Sequence, residues 1–151
     1  MVWAEACTHH LVLDDSLYDG TDAARFVVVP PLRPRTDVDA LWDGILDGTI
    51  DAIGSDHATA PYQPPFTGDD FRSLAYGFGG VEQRVPLVLS EGTKRGVALE
   101  RLADLLARGP ARAFGLDVRE NALEWDPESE WTIEGDGPFA GLTVHGSVRL
   151  L

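Results

Sequence analysis

The chain is 151 residues long, with 44% hydrophobic and 25% charged residues, a balance that fits a soluble globular domain and excludes collagen, low-complexity disorder and membrane spans. Twenty-five acidic residues against twelve basic ones give a formal charge of -13, whose field repels nucleic acid and anionic membranes, so neither is an expected partner. Every basic residue except Lys94 is arginine, and the acids are spread along the chain, a pattern that predicts adaptation to a high-salt cytoplasm. Cys7 is the single cysteine, which excludes an internal disulfide and a cysteine-only zinc site, and no signal-peptide pattern is visible; the expected location is cytoplasmic.

Along the chain, Val2 to Leu13 reads as a strand with its continuation, and Arg25 to Val29 as a second strand stopped by Pro30-Pro31. Thr36 is a candidate N-cap for an amphipathic helix carried by Val38, Leu41, Trp42, Ile45 and Leu46 and ended by Gly48. Thr49 to Ile53 reads as a short buried strand closed by Gly54-Ser55-Asp56-His57, and a Pro- and Gly-rich loop follows to about Gly80. Val81 to Glu91 and Leu99 to Ala107 have helical periodicity, Ala111 to Leu116 ends at a Gly115 cap, and alternation after Ala122 predicts strands at Trp131-Thr132-Ile133 and Leu142 to Leu150. The strand-helix-strand order predicts a parallel α/β arrangement followed by a separate β element.

Asp56 directly follows the 49–53 strand, at the end where parallel α/β proteins place catalytic groups. A carboxylate there can bind a metal or move a proton; the competing reading is an Asx-turn that ends the strand. His9 and His10 are adjacent, and because strand side chains alternate faces only one of them is expected to share a pocket with Asp56, with His57 as a further candidate. His145 is expected at the surface. No H-x-H or H-E-x-x-H spacing is present, so a self-contained metal centre is weakly supported. Ser55 and Ser90 lack the nucleophile-elbow context, and Gly77-Phe78-Gly79-Gly80 lacks the lysine and hydroxyl of a phosphate loop.

Taken in order, Glu5-Ala6-Cys7-Thr8-His9-His10-Leu11, Pro30-Pro31-Leu32-Arg33, Ala40-Leu41-Trp42, Asp47-Gly48-Thr49-Ile50-Asp51, Ser55-Asp56-His57-Ala58, Gly77-Phe78-Gly79-Gly80-Val81-Glu82 and Pro110-Ala111-Arg112-Ala113-Phe114-Gly115-Leu116 resemble the cyclic amidohydrolases: dihydropyrimidinase/hydantoinase, dihydroorotase and allantoinase. Trp125-Asp126-Pro127-Glu128 and Gly141-Leu142-Thr143-Val144-His145-Gly146 look like that family's C-terminal β domain. The resemblance implies an α/β fold: the C-terminal part of a metal-dependent (β/α)8 TIM barrel over residues 1–116, then a small truncated β element over 117–151. It further implies a hydrolase that opens the C–N bond of a cyclic amide by metal-activated hydroxide, with a divalent metal, usually zinc, as cofactor. Asp56 would be both metal ligand and catalytic proton carrier.

The family's H-x-H pair, carbamylated lysine and two further histidine ligands would all precede Met1, and Lys94, on a late helix, does not correspond to that lysine. The metal site is therefore expected to be incomplete in this chain, and exposed strand edges would invite pairing with a complementary N-terminal half or a second copy. The sequence also departs from its relatives in Ala58-Thr59-Ala60, where many read A-P-H, in Tyr76, and in a shortened stretch from Asp117 to Glu124. Gly80-Val81-Glu82-Gln83-Arg84 with Ser90-Glu91-Gly92 leans toward the dihydropyrimidinase/hydantoinase branch. The alternatives are a dihydroorotase- or allantoinase-like fragment, or a non-catalytic interaction piece or remnant of a decaying gene, which the shortened 117–124 stretch favours.

Overall fold

Two short parallel strands set the frame on which the helices pack. In the computed structural model, which describes residues 2–58, 72, 74, 76–118 and 123–150, β1 (Glu5–Cys7) pairs with β2 (Ala52–Gly54) in the register Glu5 to Ala52, Ala6 to Ile53 and Cys7 to Gly54. The pairing continues just before the strands: Asp51 N–H donates to the Ala4 carbonyl at 2.8 Å, and Ala4 N–H donates to the Asp51 carboxylate at 2.9 Å. The expected parallel α/β arrangement is thus present, with two parallel strands among the described residues.

The N-terminal segment is not one long strand. It turns after Cys7 into α1 (Thr8–Val12), and the Thr8 hydroxyl donates to the Gly54 carbonyl at 3.1 Å, tying the start of the turn to the end of β2. The strand expected at Arg25 to Val29 is instead a 3₁₀ turn, Ala23–Phe26, followed by extended chain. Its β-branched valines favour a strand only beside a partner strand. Here the Arg25 guanidinium reaches away to the carbonyls of Asp136 and Gly137, both at 2.7 Å.

The central helix, α2 (Arg35–Asp47), buries Val38, Trp42 and Ile45, one apolar stripe at helical spacing. It starts one residue before the expected cap, with Pro34 rather than Thr36 at the N-cap, and Gly48 ends it at φ 89°, a left-handed position that glycine adopts without a Cβ penalty. The Trp42 indole N–H donates to the Leu11 carbonyl at 2.9 Å, fixing α2 against α1.

After β2 come α3 (Val81–Lys94), α4 (Leu99–Ala103) and α5 (Gly109–Phe114), with a π-helical turn, Asp104–Arg108, joining the last two. The wide turn has a local cause. Pro110 has no N–H to give the Leu106 carbonyl, which accepts instead from the Arg84 guanidinium at 3.3 Å. The same guanidinium donates to the Ile53 carbonyl at 2.9 Å, so one α3 side chain ties β2 to the π turn. Gly115 closes α5 at φ 66°, as its position suggested.

The chain ends in an antiparallel hairpin of β3 (Leu123–Thr132) and β4 (Thr143–Leu150), longer than the expected strand around Trp131, with a register shift between Asp126 and Glu130 beside Pro127. Its Ile133, Phe139 and Val144 share a core with Leu13, Val28, Leu32, Phe78 and Leu87, while Trp125 and Val148 lean on the larger core built from Leu11, Ile45, Ile53, Val88, Leu102 and Leu105. His145 donates its backbone N–H to the Ser90 hydroxyl at 2.9 Å and holds Glu130 at 3.0 Å, so it links the hairpin to α3 rather than standing free. No helix among the described residues is long and apolar enough to cross a membrane. Most of the expected 58–80 loop and part of the 117–124 stretch lie outside the described residues.

Close packing of α5 on β2 yields a prediction. A Cβ at Gly109 would collide with the Asp51 carbonyl oxygen, a backbone atom that cannot rotate aside. Gly109→Ala should therefore lower stability by about 1–3 kcal/mol, read as a lower urea midpoint, whereas Gly137→Ala, where a Cβ meets open space, should leave the midpoint within about 0.5 kcal/mol of the parent.

Candidate functional site

The two parallel strands end side by side, and the candidate residues follow directly from those ends. Asp56 lies two residues beyond Gly54 and takes φ 49°, the sole positive φ at a non-glycine among the described residues. Aspartate tolerates that region better than most residues because its short side chain can hydrogen-bond locally, yet the conformation still costs about 1 kcal/mol. The turn is braced on its far side. Ala58 N–H donates to the Phe78 carbonyl at 3.0 Å, and the His57 ring nitrogen Nδ1 accepts from the backbone N–H groups of Gly80 at 3.1 Å and Val81 at 3.3 Å. Accepting two N–H bonds at Nδ1 leaves the proton of a neutral ring on Nε2, so His57 serves as a side-chain cap for the start of α3.

The Asp56 side chain is exposed and has no hydrogen bond among the described residues. Among the described residues nothing occupies either carboxylate oxygen, and a carboxylate is chemically able to bind a hard cation or accept a proton.

Across the strand pair, the histidines do not lie on the strand that the sequence suggested. His9 and His10 sit on α1, not on a strand, so their side chains do not alternate; the two rings lie 4.2 Å apart, edge to face. Both belong to one group with Cys7, the ligand atoms of the three lying within 4.8 Å of one another. His9 is only 1% exposed, packs edge-on against Phe78 at 5.2 Å, and neither ring nitrogen has a hydrogen-bond partner among the described residues. Burial, with the neighbouring His10 ring adding to it, pushes His9 down to about 4, so its imidazole is neutral at ordinary pH. Burial first, then the charges of Asp56 and Glu5, push the Cys7 thiol up to about 11, which keeps it protonated and a poor nucleophile. Sequence reasoning missed this cluster; the signal for it was the Cys7-Thr8-His9-His10 spacing once a turn rather than a strand is assumed.

No protein-family model matches the chain. D-phenylhydantoinase of Escherichia coli O1:K1 is 41% identical over 125 residues, covering 81% of this chain and 27% of that protein. A solved D-hydantoinase superposes with a TM-score of 0.87 at 29% identity over 99% of this chain and 37% of its own, and dihydropyrimidinase from Brevibacillus agri NCHU1002 with 0.82 at 29% identity over 97% and 37%. Over 81% of its length the chain is thus similar to a part of D-phenylhydantoinase, and over nearly all of it to a part of the solved hydantoinases. It spans about a quarter of the length of the curated relatives it matches. All three proteins carry hydantoinase or dihydropyrimidinase names, the branch toward which Gly80 to Arg84 and Ser90 to Gly92 lean.

The cap formed by His57 is testable by itself. His57→Ala leaves the Gly80 and Val81 N–H groups without their acceptor and should cost about 0.5–2 kcal/mol, whereas His57→Asn, which keeps a short acceptor, should lose less; chemical denaturation of both variants against the parent measures the difference.

Proposed function

We propose that this chain forms the C-terminal part of a cyclic-amide hydrolase, in which Asp56 binds a divalent metal and carries the proton from the attacking water to the leaving nitrogen. The observation that carries the reading is the placement of an open carboxylate at the end of β2, on a chain whose relatives are named hydantoinases and dihydropyrimidinases. Residues 1–116 would then be part of a (β/α)8 barrel and 117–151 its β element, with zinc the family's usual metal. The cation, when bound, supplies a Lewis acid that acidifies water and polarises the amide carbonyl.

The protein's own residues account for orientation and proton transfer. His57 and the Ala58 to Phe78 hydrogen bond hold the Asp56 turn against the start of α3. From there the Asp56 carboxylate would help to hold the cation, and would accept the water proton and release it to the nitrogen as the C–N bond breaks. The products are a carboxylate and an N–H group, so water is the only reagent consumed. With no H-x-H in the sequence, the remaining metal ligands come from elsewhere in the assembled enzyme, a complementary segment or a second copy. The acidic, lysine-poor surface favours assembly and turnover in concentrated salt within the cytoplasm.

The test is ring opening of a hydantoin or a dihydropyrimidine by the assembled, metal-supplied enzyme containing this chain. Asp56→Asn should lower kcat at least about 100-fold with an unchanged circular dichroism spectrum, and a chelator should abolish turnover until metal is restored. Full activity in the Asn variant removes Asp56 from the chemistry.

A further inference from the structure

The catalytic reading uses Asp56 and leaves the group on the opposite strand end without a task. That group combines a thiol and two imidazoles, whose ligand atoms lie within 4.8 Å of one another on the short stretch Cys7 to His10. Its most unusual member is His9. A histidine that is 1% exposed normally hydrogen-bonds through at least one ring nitrogen, and here both nitrogens lack a partner among the described residues. Burying such groups without a partner is unfavourable, and a bound ligand on the lone pair would offset that.

We propose that Cys7, His9 and His10 form a binding site for a thiophilic cation, Zn2+ or Cu+, on the turn that follows β1.

Three features support the assignment. The donor set of one sulfur and two imidazoles suits borderline and soft cations and disfavours Mg2+ or Ca2+, which prefer oxygen. His10 is oriented for it: its Nε2 lies 3.1 Å from the Pro30 carbonyl, which can only accept, so Nε2 carries the proton and Nδ1 keeps a free lone pair. Histidine ligands are commonly fixed by this kind of N–H to carbonyl bond. The remaining requirement is one of distance. Donors in a zinc site with bonds of about 2.0–2.3 Å lie about 3.5 Å apart, so small rotations of the Cys7 and His10 side chains complete the coordination, and an open position remains for water.

This site does not require Asp56 as a ligand, and its test stands apart from turnover. The metal-free full chain is titrated with Co2+, whose thiolate complex absorbs by charge transfer, and Zn2+ or Cu+ is then added in separate arms to displace it. The expected result is saturation at one equivalent in the parent, loss of the band in Cys7→Ser, at least about tenfold weaker binding in His10→Asn, and a retained band in Asp56→Asn. Displacement by Zn2+ or by Cu+ identifies the preferred cation. Because Cys7→Ser affects a half-buried position, the parent protein supplies a second reading: saturating Zn2+ should slow alkylation of Cys7, the single thiol, at least about tenfold. Absence of the charge-transfer band, or alkylation at the same rate with and without Zn2+, overturns the site.

Discussion

The register between β1 and β2 is the constraint on which the rest depends. With Cys7 opposite Gly54, the residues after each strand, Thr8 to His10 on one side and Ser55 to His57 on the other, emerge at the same end of the sheet. Hydrogen bonds alone could not hold three residue pairs together, since each contributes only about 0.5–1.5 kcal/mol net. The stronger term is apolar burial. Leu11, Ile45, Ile53, Val88, Leu102 and Leu105 are essentially inaccessible, and burying each such side chain contributes about 1.5–3 kcal/mol. The strands are therefore aligned by the helices packed around them, and polar side chains complete the alignment where the backbone lacks partners: Arg84 on the Ile53 carbonyl, Thr8 on Gly54, Asp51 on Ala4.

At the shared end, two features work against local stability. Asp56 occupies a left-handed backbone conformation and its carboxylate has no hydrogen bond among the described residues, while His9 is buried with both nitrogens unpaired. Each feature works against folding and each presents an atom ready to bind. They lie within a few residues of the strand ends, whereas the surrounding core is apolar and satisfied. Such local departures from good packing practice concentrate at functional sites.

Where the sequence pattern was local and periodic, it was legible. The α2 stripe of Val38, Trp42 and Ile45, the Gly48 and Gly115 caps and the start of α3 at Val81 all correspond to the structure. Where three-dimensional context decides, the pattern misleads. Val27 to Val29 is β-branched, yet no strand forms because the neighbouring chain is held by Arg25 and the carbonyls of Asp136 and Gly137. His9 and His10 escape a two-residue periodicity because the chain turns after Cys7, a bend tied by the Thr8 bond to a carbonyl 46 residues away. The position of Asp56 after β2 follows from a local signal, an aspartate directly behind an apolar strand; the partnership of His57 with Gly80 and Val81 does not, since more than twenty residues separate them.

The central assignment is that Asp56 touches the metal. An anomalous-difference map collected at the absorption edge of the bound metal, from crystals of the assembled enzyme that contains this chain, tests it directly. The predicted result is a peak about 2.0–2.2 Å from an Asp56 carboxylate oxygen. Metal density held by other residues, with both Asp56 oxygens beyond coordinating distance, contradicts the assignment.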